Sequence, residues 1–137
     1  MKIKNELPPN YSEIISVLPR DMNAVFCYGD TLYNPFNRKI TPDVEVHEQV
    51  HSKQQGDSPE MWYNKYLYDK DFRLRQEVEA YGTQYAFAKK FVRNKEILKW
   101  AKEKMVEALS SKAYGKLVTQ KKARKLIETF AIYGKIV

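Results

Sequence analysis

Apolar residues change their spacing near residue 40 of this chain, and the change predicts where strands give way to helices. Before it, Asn10–Leu18 (NYSEIISVL) predicts a short helix, capped at Asn10 or Ser12 and stopped by Pro19. Residues 24–35, AVFCYGDTLYNP, predict a β-hairpin. Val25, Phe26, Cys27 and Tyr28 favour a strand, Gly29-Asp30 suits the turn, and Thr31, Leu32 and Tyr33 form the return, ended by Asn34-Pro35.

From residue 41 onward the period is helical. Thr41 is a good N-cap and Pro42 suits the first helical position, with Asp43 and Glu45 favourable to the positive end of the helix dipole. This helix is expected to reach Gln54 or Gln55 and stop near Gly56. Ser58-Pro59-Glu60 opens the next in the same way, with Met61, Trp62, Tyr63, Tyr66 and Leu67 along it. A long helix follows over about 71–92, with Leu74, Val78, Tyr81, Tyr85, Ala88 and Val92 on one stripe. Asn94 caps another, whose apolar positions are Ile97, Trp100, Ala101, Met105, Ala108 and Leu109; Trp62 and Trp100, at helical spacing, read as core. Ser110–Lys116 reads as a loop, Thr119 caps a short basic helix to about Glu128, and Thr129–Val137 reads as a tail. The expected class is mainly α with a small β-hairpin near the N-terminus.

Composition narrows the picture. The 137 residues are 43% hydrophobic and 30% charged, values that fit one folded domain and exclude a disordered chain. No apolar run approaches the ~18–20 residues of a membrane span. MKIKNELPPN lacks the apolar stretch of a signal peptide, and the single Cys27 fits a reducing compartment, so a cytoplasmic location is expected. Charge is uneven: residues 1–88 hold 10 Lys/Arg against 13 Asp/Glu, whereas residues 89–137 hold 14 against 4. Such a basic half fits either a nucleic-acid partner or solvated helix faces rich in lysine. It carries no recognised nucleic-acid-binding motif.

The candidate chemistry lies in the helix opened by Thr41-Pro42, which contains His47-Glu48-Gln49-Val50-His51. Histidines four apart project from one helix face, so both imidazoles can reach one Zn²⁺ ion. Glu48, about 100° round the helix from His47, can miss the metal and serve as a general base beside it. The chain has only two histidines and both are in this motif, an arrangement with a chance probability of roughly one in a thousand. A catalytic zinc site usually has three protein ligands. With no other His and with Cys27 in the hairpin, the third is expected to be a carboxylate, and FRLRQEVEAY on the long helix supplies Glu77 and Glu79. Residues two apart diverge by about 200°, so only one can face the ion. Measured from Leu74 on the apolar stripe, Glu77 lies about 60° away and Glu79 about 140°. Glu77 is therefore the expected ligand, with Glu79 the second choice and Arg75 its expected ion-pair partner.

The stretch 26–84 resembles the gluzincin metallopeptidases, and more narrowly the short minigluzincin-like proteins of bacteria and phages. The resemblance rests on YGDTLYNP, HEQVHSKQQ, WYNKYL and FRLRQEVEAYGTQ. Farther on, LSSKAYGKLV and the basic helix after it are similar to the C-terminal part of such phage proteins. The resemblance implies a compact zincin-like single domain over residues 1–137, with a zinc-site core at about 24–92 and a basic helical part at about 94–137. It implies a zinc metallopeptidase acting on a peptide or protein substrate, in the host cytoplasm if the chain is phage-encoded. His47, His51 and Glu77 would be the metal ligands and Glu48 the general base. Many gluzincins carry an Asp four residues after the ligand Glu, where this chain has Tyr81. Tyr63, Tyr66, Tyr81 and Arg73 are the candidate donors for a tetrahedral oxyanion. Gln54 and Gln55, one turn beyond His51, could support it, and the hairpin could offer an edge strand to an extended substrate. Two other readings rest on part of the same sequence: a zinc-binding structural or interaction protein without turnover, and a basic helical nucleic-acid-binding protein.

Overall fold

Every helix-start signal in the sequence opens a helix in the computed structural model, which describes residues 1–20 and 23–136. In chain order the elements are β1 (Lys2–Lys4), α1 (Tyr11–Val17), β2 (Phe26–Tyr28), β3 (Thr31–Tyr33), α2 (Pro42–Gln55), α3 (Pro59–Tyr68), α4 (Lys70–Phe91), α5 (Lys95–Leu109) and α6 (Gln120–Tyr133). The architecture is mainly helical, with one small sheet near the N-terminus. Asn94 Oδ1 accepts from the backbone N–H groups of Glu96 and Ile97, and Thr119 Oγ1 accepts from that of Lys122, as caps should. In the hairpin, Gly29 alone takes a positive φ, 63°, which fits glycine at the first position of a type II′ turn.

Within the expected loop Ser110–Lys116, Lys112–Tyr114 form one turn of 3-10 helix, and the structure departs further from the sequence reading at three places. β1 was not expected; it pairs parallel to β3, giving the order β1-β3-β2. Its three residues are all exposed, so no apolar alternation announces it. The segment read as a tail from Thr129 is helical to Tyr133, and Gly134 at φ 66° ends the helix instead. Ile127, just before that segment, is fully buried, and Phe130 within it packs on α4, so tertiary contact extends a helix that local propensity would stop. The last residue of that expected tail, Val137, lies outside the described residues. Finally, Trp100 is not core: it is 63% exposed, beside Lys104, and Ile97 is exposed too. Helix α5 is buried through Met105, Val106 and Leu109, a stripe displaced from the expected one.

α4 is the axis of the molecule and packs against α2, α3, α5 and α6. Two apolar clusters lie along it. One joins α1, the hairpin and α3 around Ile14, Phe26, Trp62 and Tyr66; the other joins α4, α5 and α6 around Val78, Val106, Leu109 and Ile127. Ion pairs Lys102–Glu128 and Arg124–Glu103 also tie α5 to α6, each worth only about 0–1 kcal/mol at this exposure. α6 comes close to α4 at Gly82, where an added Cβ would stand 2.5 Å from Phe130 Cδ1 and 2.7 Å from its Cβ. The Phe130 Cβ is anchored to the backbone, so α6 itself would have to move. Gly82→Ala is expected to destabilise by about 1–3 kcal/mol, despite the ~1 kcal/mol that alanine usually gains in a helix. Thermal unfolding of the variant checks this; an unchanged or raised midpoint would show that α6 yields freely.

Candidate metal centre

Helix α2 buries polar side chains where a purely structural helix buries apolar ones. Its buried residues are His47, Glu48, His51 and Gln55. Positions 47, 51 and 55 form one stripe along the helix. Burying such groups costs stability unless each finds a partner, so their presence marks a site rather than a core.

The partners come mainly from α3 and α4. His47 Nε2 lies 3.3 Å from Glu77 Oε1, and His51 Nε2 lies 3.1 Å from Glu77 Oε2. The two Nε2 atoms are 3.2 Å apart. Tyr66 donates its hydroxyl to Glu77 Oε2 at 2.6 Å. His47, His51 and Glu77 each present a ligand atom, all within 4.8 Å of one another, so this triad could hold a metal ion. Glu77 is the carboxylate turned to the histidines. Glu79 points elsewhere and accepts from Gln54 Nε2 at 2.7 Å. The expected Arg75–Glu79 pair does not form; Arg75 pairs with Asp71.

The outer nitrogens of both rings are fixed. His47 Nδ1 meets Gln84 Oε1 at 2.9 Å, and Gln84 Nε2 donates to Asp43 Oδ2. His51 Nδ1 meets Gln54 Oε1 at 2.8 Å, and Gln54 Nε2 donates to Glu79 Oε1 and to the Gln76 carbonyl. Each glutamine spends its amide N–H on a carboxylate, so its oxygen must face the histidine. The histidine must then donate from Nδ1. A neutral ring in this tautomer aims its Nε2 lone pair at the centre, as a metal ligand requires. Tyr81 packs edge-on against His47, with centroids 4.3 Å apart, and Trp62 lies 5.4 Å from His51. Gln54 thus supports His51 as expected, whereas Gln55 serves the hairpin: it bonds Gly29 N–H and the Cys27 carbonyl. The sequence reading missed Gln84. Its signal was its place two turns after Glu77, on the same helix face.

The donor set fits a cation. Two lone pairs and a carboxylate converge on one point, and Glu77 Oε1 is buried without a hydrogen-bond partner among the described residues. Without a metal, protons must serve instead. Burial would lower the His51 pKa, but Glu77 and Glu48 raise it to about 9. Burial alone would raise the Glu77 carboxyl, but His51 and His47 hold it well below the usual carboxylate range. The metal-free cluster therefore carries a proton on His51 at neutral pH. That proton stabilises the metal-free fold most below the unfolded imidazole value of about 6.5, and its contribution is lost as pH rises through about 9. A metal ion taking His51 Nε2 must displace it. Metal affinity is expected to rise about tenfold per pH unit from neutrality toward pH 9, with close to one proton released per ion near pH 7. Calorimetry in buffers of different ionisation enthalpy measures the release; none at all would mean that His51 does not take the ion.

Glu48 shares a small cavity of about 40 Å³ with the triad. Its Oε2 is buried and unpartnered among the described residues, and burial raises its pKa above the usual carboxylate range. The expected oxyanion donors are otherwise engaged. Tyr63 donates to the Cys27 carbonyl, Tyr66 to Glu77, and the Tyr81 hydroxyl is paired with that of Tyr114. Arg73 binds the backbone carbonyls of Tyr114, Tyr66 and Leu67, fastening three segments together. Cys27 is buried and burial raises its thiol pKa, so it behaves as a small apolar side chain. Its carbonyl, on edge strand β2, already accepts from Gln55 and Tyr63, which covers the middle of the edge expected to receive a substrate.

No described helix is long and apolar enough to cross a membrane. No protein-family model, curated protein or solved structure matches the chain.

Proposed function

We propose that the chain is a zinc metallopeptidase of the gluzincin type, with His47, His51 and Glu77 as ligands and Glu48 as general base. The observation that carries this reading is the shared cavity: a buried carboxylate with a free oxygen stands beside a triad able to hold a metal ion. Two imidazoles and one carboxylate are a common catalytic zinc set, which leaves a fourth position open. When bound, Zn²⁺ supplies Lewis acidity, lowering the pKa of a water toward ~7 and polarising a carbonyl.

The remaining roles belong to the chain. Glu48 accepts a proton from the attacking water through its free Oε2 and returns it to the amide nitrogen as the C–N bond breaks. The hydroxyl stays on the carbonyl carbon, so one water is consumed per bond cleaved. Burial suits Glu48 to this task, because a carboxylate whose pKa is raised above the usual range is a stronger base toward the attacking water. Tyr66 orients Glu77, and Gln84 and Gln54 hold the two rings in the ligating tautomer. The partner implied is a peptide or protein substrate; the basic half of the chain contributes Tyr114 to the lining of the cavity.

A second reading, a metal site without turnover, is favoured by the size of the cavity, about 40 Å³, which leaves little room for a substrate side chain. Zinc-loaded protein incubated with a mixed peptide library separates the two. The expected result is cleavage that a chelator abolishes and added zinc restores. Intact peptides with zinc bound would leave the metal site and remove the hydrolase.

A further inference from the structure

Attack on a carbonyl places negative charge on its oxygen, and hydrolytic sites stabilise that charge with a preorganised donor beside the metal. Here the four donors suggested by the sequence are engaged elsewhere, as described above. One other permanent cation lines the cavity: Arg20, which follows α1 and Pro19. Its Nε is buried and has no hydrogen-bond partner among the described residues. Its guanidinium carbon stands 5.0 Å from the Tyr114 ring centroid, and its charge is felt at Glu48, Glu77 and Tyr66. The guanidinium also interacts with the Tyr66 hydroxyl, but its Nε–H keeps no partner among the described residues. An unpaired buried donor is costly, and guanidinium cannot shed its charge to escape that cost. Its planar N–H fork suits an oxyanion, which can accept two N–H bonds where a tyrosine hydroxyl accepts one.

We infer that Arg20 makes this cavity an oxyanion-binding site. Within the hydrolase reading, on which this role depends, the oxyanion is the carbonyl oxygen under attack, and Arg20 is a catalytic residue. Nothing in the local sequence announced it: a lone arginine after Pro19 reads as surface charge, and only the fold brings it to the metal triad.

Acetate, a small oxyanion, is the probe. Calorimetry at constant ionic strength measures its binding to zinc-loaded wild type, Arg20→Ala and Arg20→Lys, and zinc affinity is measured separately for each. The expected result is unchanged zinc affinity, with acetate bound at least about tenfold more weakly by Arg20→Ala and to an intermediate degree by Arg20→Lys. Should the alanine variant fail to fold, the lysine variant retains the charge and still reports loss of the fork. In hydrolysis, Arg20→Ala is expected to lose about 10²–10³-fold in kcat with KM little changed, and added guanidinium salt to restore part of the loss. Equal acetate affinity in all three proteins, or no acetate binding by wild type, overturns the inference. Loss of zinc in Arg20→Ala overturns it as well, because Arg20 would then be only a counter-ion to Glu77. Arg20-dependent acetate binding without any peptide cleavage upholds the anion site and sinks the hydrolase reading alone.

Discussion

Glu48→Gln is expected to keep its zinc and its fold and to lose about 10²–10⁴-fold in peptide hydrolysis, the range that a general base contributes. The substitution is close to isosteric and removes the proton acceptor while leaving a polar side chain in the cavity. Retention of metal is part of the prediction: Glu48 lies outside the triad that presents ligand atoms, and its Oε2 has no partner to lose. The variant also relieves a buried carboxylate whose charged form burial disfavours, so its thermal midpoint should equal or exceed that of wild type. Metal content, unfolding and turnover measured on one preparation check all three parts. Loss of zinc would make Glu48 a ligand, and full activity would remove it from the mechanism.

The parts of this molecule that could be read from the sequence are those set by short-range chemistry. Thr41-Pro42 and Ser58-Pro59 mark helix starts because proline fixes φ and lacks the N–H that a first turn leaves unbonded. The helical period placed Glu77, not Glu79, beside the histidines, and the structure agrees. What escaped depends on partners far along the chain. β1 exists because β3, 29 residues away in the pairing Lys2↔Thr31, accepts it. α6 runs past Glu128 because Gly82 admits Phe130. Trp100 reads as core with Met105 and Leu109, but it stands about 140° and 180° round α5 from them, and α6 meets α5 on their side. Gln84 and Arg20 were missed for the same reason. Glutamine and arginine are ordinary surface residues until the fold gives one a histidine nitrogen to accept from and brings the other to a buried cavity.

Replacing a member of the triad is the second large effect expected. His47→Ala and His51→Ala should each weaken zinc binding by more than about a hundredfold, beyond the ~10–100-fold typical of losing a residue that merely orients a ligand. Glu77→Gln should cost at least about tenfold. Glu79→Gln should stay within a few-fold, because the Gln54 amide that Glu79 accepts from keeps the Gln76 carbonyl as a partner. The metal-free forms of the histidine variants also leave Glu77 buried with fewer partners, so they should unfold at lower temperature than wild type. The reverse ranking of Glu77 and Glu79 would mean that α4 is turned the other way about its axis.

The most direct test is the metal itself, measured as zinc content together with X-ray absorption at the zinc edge on wild type, His47→Ala and His51→Ala. One zinc per wild-type chain is expected, with two imidazole nitrogens at ~2.0–2.1 Å and carboxylate oxygen at ~2.0–2.2 Å, and little zinc in either variant. Wild-type protein that takes up no zinc, or variants that hold as much of it as wild type, would contradict this expectation.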